Sequence, residues 1–589
     1  MKFREEDYRK VEAVTLSGNS FNLRQREFIE LMESKYIIAG PGVGKTTSLS
    51  AKIVLLLLNS LRKNYSEGMC VITKTNVAVD EINRILKQVG QTQLKHPHYI
   101  GTIHQFFNTY LAIPYIKKLL NPKNIRFGKE TDFLPILKGI ISRDPYFSKW
   151  SAKDFLATTI CGSKLIFDSG NNIFDIENTT GWDKFERHKN KLFNIKWKLK
   201  EMGCYSFDEI FLFSTAAMQE SKILSLLKKR FKYVFVDEFQ DTNKSWIDLI
   251  AQIFNVEGNV LQFIGDPNQT IDFDGMMPTV PSNVFELNIC NRFDNRIGRH
   301  LSYIVNNVNI QCLERDTSFN PILLVYENKK NLIKNYKTIL DEEYLCNLDF
   351  AKETRKDSIL GIQNNTINPF LDNYSTEMVA SRGKTRLTES ITRQMINLIH
   401  DALVSKIPAA RENNLKLTDW LKEKPIYIEI KILLIESIKL KKLNVDRLLN
   451  LLNSIINEQD GQMLTVSNNV FSHITSLCKN ADILLDESKE HRANFVFSTI
   501  HSAKGETHRS VLLIDSENDK KPKMHTKMLK AFYCGYELDT SENWVERNLL
   551  YVAMSRPIYL FTFAMDKYCI TDSEINKFRL SGWEIKIID

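Results

Sequence analysis

The sequence has little of what marks an exported or membrane-embedded protein. Its nine cysteines include no Cys-x-x-Cys pair, which argues against a zinc ribbon or a disulfide framework and favours reduced, mostly buried thiols. The longest obvious apolar run, Ile53 to Leu58, is far shorter than the ~20 residues that span a bilayer. The first residues, MKFREEDYRK, lack the apolar segment of a signal peptide. We therefore expect a cytoplasmic protein without membrane contact.

Length and composition predict an ordinary globular protein. The 589 residues are several times the size of a usual domain of ~150 residues, so about four folding units are expected. Hydrophobic residues at 43% and charged residues at 25% are near the averages for globular proteins and argue against long disorder. The net charge of +8 is compatible with an anionic partner, but it does not single out nucleic acid.

A phosphate-binding loop is predicted near the amino terminus. An apolar strand, Tyr36 to Ala39, runs into a glycine-rich loop and then into a helix opened by Lys45 and Thr46. In that order the glycines turn backbone N–H groups inward, Lys45 reaches the phosphates of ATP, and Thr46 ligates Mg²⁺. The predicted nucleotide-binding residues are Gly40, Gly42, Gly44, Lys45, Thr46 and Thr47. The alternative, a turn that merely joins strand to helix, is disfavoured by the Lys-Thr pair.

Two acidic residues follow a second apolar strand. The run from Tyr233 to Val236 is typical of a buried parallel strand, and Asp237 and Glu238 come at its carboxyl end, where α/β sheets bind ligands. Asp237 is predicted to hold Mg²⁺, and Glu238 to orient and deprotonate the attacking water. Such a pair alone is as often a solvated sheet edge, but together with the phosphate loop it predicts nucleotide hydrolysis.

A third strand, Val260 to Ile264, ends in the sequence GDPNQTI. Gln269 is suited to sensing a γ-phosphate, because its amide can both donate and accept a hydrogen bond. A plain turn around Asp266 is the alternative.

The ordered motifs resemble those of superfamily 1 helicases of the UvrD, Rep and PcrA type. The matching blocks are LRQREFIE, AGPGVGKT, TKTNVAVDEI, GTIHQFF, VDEFQDT, GDPNQTI, NRF, TIHSAKGE and LLYVAMSRP, from about residue 22 to residue 557. The resemblance implies an α/β fold with two RecA-like P-loop domains, each built on a parallel sheet and interrupted by a mainly helical accessory domain. The expected ranges are 1–106 and 205–281 for the first motor domain, 107–204 for its insert, 282–364 and 491–589 for the second motor domain, and 365–490 for a reduced second insert.

The resemblance also assigns roles around the nucleotide. Gln25 would read adenine, although the residues alone are equally compatible with an exposed helix position. Arg292 and Arg556 would reach the γ-phosphate from the second domain, as arginine fingers do. Glu506 would contact the ribose, in a block whose register departs by one position from the family pattern.

A nucleic-acid track is implied by other motif positions. The residues concerned are Thr75, Asn76, Thr102, His104, Phe273 and His501. Phe273 lies in IDFDGMMP, where the family has a stacking Trp, and loop packing explains it equally well. Without the family context, a helix surface and a capped turn explain the first four.

A basic stretch in the first expected insert has two explanations. It contains five lysines interleaved with two aromatic residues: Lys189, Lys191, Lys196, Lys198 and Lys200, with Phe193 and Trp197. This pattern fits a track for a phosphate backbone. A basic amphipathic helix with a buried aromatic face fits it about as well.

These observations predict an ATP-dependent helicase or translocase on single-stranded DNA, with 3′ to 5′ polarity implied by the resemblance. The alternative is an ATP-gated DNA sensor, similar to the UvrD-like component of Gabija anti-phage systems, whose partner is an OLD-family TOPRIM nuclease. A small-molecule kinase would leave Arg292, Arg556 and the HSAKGE block without a role.

Overall fold

The computed structural model describes residues 2–16, 19–63, 67–73, 76–89, 96–271, 280–305, 309–312, 317–367, 370, 395–396, 398–400, 402–403, 406, 425–457, 462–466, 469–478, 495–515, 523–539 and 542–588. Its strands are β1 (Lys35–Ala39), β2 (Gly68–Thr73), β3 (Tyr99–Thr102), β4 (Arg126–Gly128), β5 (Lys164–Asp168), β6 (Ile173–Glu177), β7 (Cys204–Ser206), β8 (Phe231–Asp237), β9 (Val260–Gly265), β10 (Val284–Leu287), β11 (Ile289–Cys290), β12 (Gln311–Cys312), β13 (Ile322–Tyr326), β14 (Asp357–Gly361), β15 (Phe495–Thr499), β16 (His508–Ile514), β17 (Pro557–Asp566) and β18 (Glu584–Ile588). Its main α-helices are Glu5–Thr15, Leu23–Glu30, Lys45–Lys63, Asn76–Gln88, Ile103–Phe107, Ile113–Leu119, Leu134–Arg143, Lys153–Gly162, Phe185–Glu201, Glu209–Ala217, Ser221–Arg230, Lys244–Phe254, Asn295–Ile304, Leu332–Ile339, Leu348–Lys352, Pro425–Leu440, Val445–Asn457, Met524–Cys534, Trp544–Met554 and Asp572–Leu580.

The first sheet has six parallel strands in the order β10-β1-β9-β8-β2-β3. Every residue of β2 and β9 is buried, as expected for a parallel sheet covered by helices on both faces. Because the strands run in the same direction, the phosphate loop after β1 and the carboxylates after β8 come to the same edge. The three strands predicted around these motifs are confirmed.

The first sheet extends beyond the expected end of its domain at residue 281. Strand β10 pairs with β1 in parallel, with Tyr36 opposite Val284. Its apolar residues Val284, Phe285 and Leu287 are typical of a strand. No motif marks this segment, so its place in the first sheet could not be predicted.

The second sheet also has six parallel strands, in the order β15-β14-β16-β17-β13-β18. Strands β15 and β16 lie on either side of the HSAKGE block. A core on one face of this sheet includes β16 and the helix Trp544–Met554, which precedes Arg556. The predicted fold class, α/β with two parallel sheets, is confirmed.

Residues 107–204 are mainly helical. They also contain the antiparallel hairpin of β5 and β6, and a short parallel pair of β4 with β7. In the range 365–490, the described helices Pro425–Leu440 and Val445–Asn457 contribute to a separate apolar core. Within the part of the chain that the structure describes, no helix has the length and apolar character needed to cross a membrane.

Candidate active site

The phosphate loop is packed so closely that two of its glycines cannot be replaced without a shift. Gly42 and Gly44 have φ values of +73° and +78°, a region that L side chains rarely adopt. A Cβ on Gly42 would lie 2.6 Å from Cβ of Arg292, and a Cβ on Gly44 would lie 2.6 Å from Nε2 of Gln25. The loop therefore lies directly against both predicted nucleotide-site residues. Thr46 is exposed at the start of the helix Lys45–Lys63, and Thr47 and Gly40 are half-buried.

Gln25 is buried and fixed against the phosphate loop. Its backbone N–H donates to Oδ1 of Asn22 at 2.9 Å, and its Oε1 accepts from the Asn22 N–H at 3.0 Å, which completes a capping box. Its Nε2 donates to the carbonyl of Val43 at 3.0 Å. The alternative of an exposed helix position for Gln25 is wrong, since the side chain reaches the loop. Its contact with adenine stays a prediction.

Lys45 lies between the two predicted catalytic carboxylates. Its Nζ donates to Oδ1 of Asp237 at 2.8 Å and also contacts Oε1 of Glu238. Burial opposes the charged forms of all three groups. The Lys45 ammonium outweighs burial at Glu238 and lowers its pKa to about 2, and the two carboxylates hold the pKa of Lys45 above its ordinary value. Burial prevails at Asp237, whose pKa is raised.

Glu238 adopts a backbone conformation that is uncommon for a residue other than glycine. Its φ is 53°, in the left-handed region, directly after the last residue of β8. Such a conformation costs about 1–3 kcal/mol and is found preferentially at functional sites. Here it turns the Glu238 side chain toward Lys45 rather than continuing the alternation of the strand.

Gln240 is a site residue that the sequence analysis missed. Its Nε2 donates to Oε2 of Glu238, and its Oε1 accepts from the backbone N–H of Asp266 at 3.2 Å. Gly265 makes room for it, because a Cβ there would lie 1.9 Å from Oε1 of Gln240. Gln240 thus fixes Glu238 relative to the end of the neighbouring strand β9. Its position two residues after Glu238 is the one signal that the sequence offers.

The buried side chain of Arg556, which directly precedes β17 of the second sheet, lies near the carboxyl end of β9. It is 2% exposed, and its Nη2 donates to Oε1 of Gln269 at 3.4 Å, while Nε2 of Gln269 donates to Asp266 at 2.9 Å. Burial, reinforced by the nearby Arg292 cation, lowers the pKa of Arg556 to about 9. Two buried cations repel each other, and an anion close to both stabilises them. The position beside Arg292 and Arg556 therefore suits a phosphate group.

Arg292 lies beside the phosphate loop, on the segment that follows β11. Its Nη1 donates to the carbonyl of Ser555 at 2.7 Å, which places it next to Arg556. The preceding residue, Asn291, donates its backbone N–H to the carbonyl of Gly42 at 2.8 Å. Burial lowers the pKa of Arg292. The structure thus brings Lys45, the two carboxylates, Gln269 and both arginines to one cleft.

The HSAKGE block contacts the first sheet. Nζ of Lys504 donates to both carboxylate oxygens of Asp241 at 2.7 Å and to the carbonyl of Gln269 at 2.5 Å. Nε2 of His501 lies 3.3 Å from the carbonyl of Ile271. Glu506, the predicted ribose contact, is half-buried and lies 3.4 Å from His508. The block therefore links the second sheet to the segment that carries Gln269.

The helix Trp544–Met554 makes a further link between the sheets. Nδ2 of Asn548 donates to the carbonyl of Thr270 at 2.9 Å, and the Tyr551 hydroxyl donates to Oδ2 of Asp266 at 3.3 Å. Both side chains are buried. Neither residue was predicted to have a role, because an Asn and a Tyr within a helix carry no signal that they face another domain.

Of the residues predicted to contact nucleic acid, His501 lies in the HSAKGE block beside this cleft, and the structure also describes Asn76, Thr102 and His104. Thr102 caps the helix Ile103–Phe107, accepting from the Gln105 N–H at 3.4 Å, and His104 is exposed with its ring 5.5 Å from that of Trp246. Asn76 begins the helix Asn76–Gln88. Thr75 and Phe273 lie outside the described residues. Contact of these positions with DNA stays a prediction.

The basic stretch of the first insert is a structural helix, Phe185–Glu201. Lys196 and Lys200 are buried and donate to protein oxygens, Lys200 to Glu209 at 2.6 Å. The other three lysines also have protein partners: Asp175 for Lys189, the Tyr146 ring for Lys191, and Asp144 for Lys198. Phe193 and Trp197 stack on each other against apolar cores. Burial contradicts a phosphate track at Lys196 and Lys200, and the protein partners of the other three lysines favour the alternative of a basic helix with a buried aromatic face.

Two family models together match most of the chain. The model of the UvrD/REP helicase N-terminal domain matches residues 21–273, and that of the UvrD-like helicase C-terminal domain matches residues 300–565. The ATP-dependent DNA helicase Rep of Buchnera aphidicola subsp. Schizaphis graminum is 29% identical over 43% of this chain and 37% of its own length. DNA helicase II of Haemophilus influenzae is 28% identical over 43% and 34%. The ATP-dependent DNA helicase srs2 of Schizosaccharomyces pombe is 26% identical over 40% and 28%. The chain thus spans about a third of the length of the curated relatives it matches.

Proposed function

The chain belongs to the UvrD/Rep-type family of superfamily 1 helicases, and from this premise we propose that it is an ATP-driven motor that moves along single-stranded DNA. One observation carries the proposal. Lys45, Asp237 and Glu238 of the first sheet share a cleft with Arg292 and Arg556, which come from the segments around the second sheet. An ATP site built from two units couples hydrolysis to their relative movement.

The residues of the cleft suit ATP with Mg²⁺. The hydroxyl of Thr46 and the carboxylate of Asp237 are hard oxygen donors of the kind that Mg²⁺ prefers, and both adjoin Lys45. Bound there, Mg²⁺ would neutralise charge on the phosphates. Lys45 binds phosphate oxygens in this proposal, and Arg292 and Arg556 stabilise the charge that develops during hydrolysis.

Glu238 is the proposed base. Its pKa is held at about 2 by the Lys45 ammonium, so a movement of that ammonium toward a phosphate raises the pKa of Glu238 and makes it a better proton acceptor. Gln240 keeps the carboxylate oriented while Lys45 moves, because it contacts Oε2 of Glu238 and Lys45 contacts Oε1. Gln269 connects this chemistry to Arg556.

Movement along DNA follows in the proposal from the links between the two sheets. Closure of the cleft on ATP shifts the segment Asp266–Ile271, which Lys504, Asn548 and Tyr551 contact from the second unit. Alternate gripping of the strand by the two units then advances the protein, with 3′ to 5′ polarity. The four domains expected from the sequence, with β10 moved from the second motor domain to the first, are the proposed domains.

The test is ATP hydrolysis by the whole chain with and without single-stranded DNA. Strong stimulation by the strand is expected, and loss of turnover in Lys45→Ala and in Glu238→Gln. Glu220→Gln is the matched control, because Glu220 forms an exposed ion pair with Lys118 outside the cleft. Turnover that is indifferent to DNA, with nucleotide still bound, would contradict the motor and favour an ATP-gated sensor that acts on a partner such as a TOPRIM nuclease.

A further inference from the structure

Two free cysteines face each other beside the candidate active site. Cys290 of β11 and Cys312 of β12 are directly paired in a two-stranded parallel ladder. Paired residues of neighbouring strands lie about 4.8 Å apart with side chains on the same face. That separation falls inside the range of about 4.4–6.8 Å between the Cα atoms of disulfide-bonded cysteines. The backbone of this thiol pair therefore already allows a disulfide.

Both sulfurs occupy space that glycines leave open. A Cβ on Gly42 would lie 2.8 Å from Sγ of Cys290, and a Cβ on Gly298 would lie 2.3 Å from Sγ of Cys312. The direct pairing of Cys290 with Cys312 in the ladder brings their side chains to the same face. The two sulfurs are thus neighbours in a closely packed place, one against the phosphate loop and the other against the helix Asn295–Ile304.

The two thiols differ in reactivity and in access. Cys290 is buried, and its sulfur accepts from the backbone N–H of Arg292 at 3.4 Å. Burial opposes the thiolate, but the hydrogen bonds from Cys312 and from the N–H groups of Phe293 and Arg292 outweigh it and lower the pKa of Cys290 to about 7. Cys312 is half-exposed, and its hydrogen bond to Cys290 raises its pKa. A nucleophilic thiolate therefore lies beside a thiol that a small oxidant can reach.

We propose that Cys290 and Cys312 form a reversible disulfide with a peroxide as oxidant, and that this bond restrains the Arg292 segment and lowers ATP turnover. The effect on turnover rests on the proposed function, whereas formation of the bond does not. Arg292 follows Cys290 by two residues, and Asn291 between them binds the carbonyl of Gly42. A covalent bond at Cys290 thus restrains the backbone that carries Arg292, and Arg292 must move with this backbone to contact a phosphate of ATP.

The oxidation balances with one peroxide for each disulfide. Cys312 passes its proton to the neighbouring Cys290 thiolate and attacks a peroxide oxygen as the thiolate. The O–O bond breaks, a sulfenic acid forms at Cys312, and the departing hydroxide takes the proton back from Cys290 to give one water. The Cys290 thiolate then attacks the Cys312 sulfur, the S–O bond breaks, and the S–S bond forms. The departing hydroxide takes the proton that Cys290 had released and leaves as a second water. The two thiols lose two electrons, which the peroxide accepts.

The first test detects the bond itself. The whole chain is treated with hydrogen peroxide, its remaining thiols are alkylated, and its peptides are mapped with and without reduction. A linked peptide containing Cys290 and Cys312 is expected, and it should disappear on reduction. Cys312→Ser should abolish the linked peptide, whereas Cys346→Ser, which removes an exposed thiol elsewhere, should leave it unchanged. Separate alkylation of both cysteines, under conditions that oxidise Cys346, would overturn the proposal.

The second test measures ATP turnover of the same samples. Turnover about tenfold lower after oxidation is expected, which corresponds to a modest misplacement of one charged group. Reduction should restore it, and Cys312→Ser should resist the loss. Equal turnover of the linked and reduced protein would overturn the proposed effect. Absence of turnover in the reduced protein would count against the proposed function, while the peptide map would still decide whether the disulfide forms.

Discussion

Gly42→Ala should separate the contribution of loop packing from that of backbone strain. At φ +73° an alanine costs about 1–2 kcal/mol relative to glycine. Its Cβ would also lie 2.6 Å from Cβ of Arg292, whereas carbon atoms in contact prefer about 3.5–4.0 Å. The phosphate loop and the Arg292 segment must then separate by roughly 1 Å, a displacement that can cost an enzyme about 100-fold in rate.

Gly258→Ala is the matched control for this variant. Gly258 also has a positive φ, +88°, but a Cβ there would meet nothing within 4 Å. Gly258→Ala should therefore lower the midpoint of urea denaturation through the strain of the left-handed region alone, and Gly42→Ala should lower it further, because its Cβ must also displace the Arg292 segment. Only Gly42→Ala should lose DNA-stimulated ATP turnover, by about 100-fold. If the two variants hydrolyse ATP equally fast, the close contact between Gly42 and Arg292 does not position the site.

Three further predictions address the links and buried charges. Lys200→Met leaves a carboxylate buried without its cation and should destabilise the protein by about 3–5 kcal/mol in urea denaturation, whereas Lys198→Met, at an exposed lysine, should change stability by no more than about 1 kcal/mol and leave DNA affinity unchanged. Lys504→Met should uncouple ATP turnover from DNA, measured as a smaller stimulation, because Asp241 loses its bond across the cleft; unchanged stimulation would contradict this role. Burial and a neighbouring arginine lower the pKa of His300 to about 3, so the unfolded chain takes up a proton below pH 6.5 that the folded chain refuses until about pH 3. Stability should therefore fall as the pH drops through this window, and His300→Phe should reduce the slope by about 1.4 kcal/mol per pH unit, as measured by urea denaturation at several pH values.

The local parts of the site could be predicted from the sequence because each is encoded by a short contiguous pattern. The strand, glycine-rich loop and helix around Lys45 follow from apolar residues, glycines and a Lys-Thr pair within about a dozen positions. The carboxylates after β8 follow from one apolar run and its end. Two parallel sheets follow from such strands alternating with helices.

Contacts between distant segments could not be predicted in the same way. The bond from Lys504 to Asp241 joins residues that are 263 positions apart, and neither residue type signals a partner. Likewise the lysines of the helix Phe185–Glu201 have the spacing expected for a phosphate track, but their acceptors come from other segments of the insert. The charge pattern identifies lysines that can bind an anion. Only the folded structure shows that carboxylates of the protein already lie beside them.

In the proposed mechanism, ATP hydrolysis moves this chain along a single strand of DNA. Displacement of streptavidin from the end of a biotinylated strand measures such movement directly. With ATP, displacement should be faster from the 5′ end than from the 3′ end, as 3′ to 5′ movement requires, and it should be lost in Glu238→Gln. Turnover stimulated by DNA without accelerated displacement from either end would contradict movement along the strand.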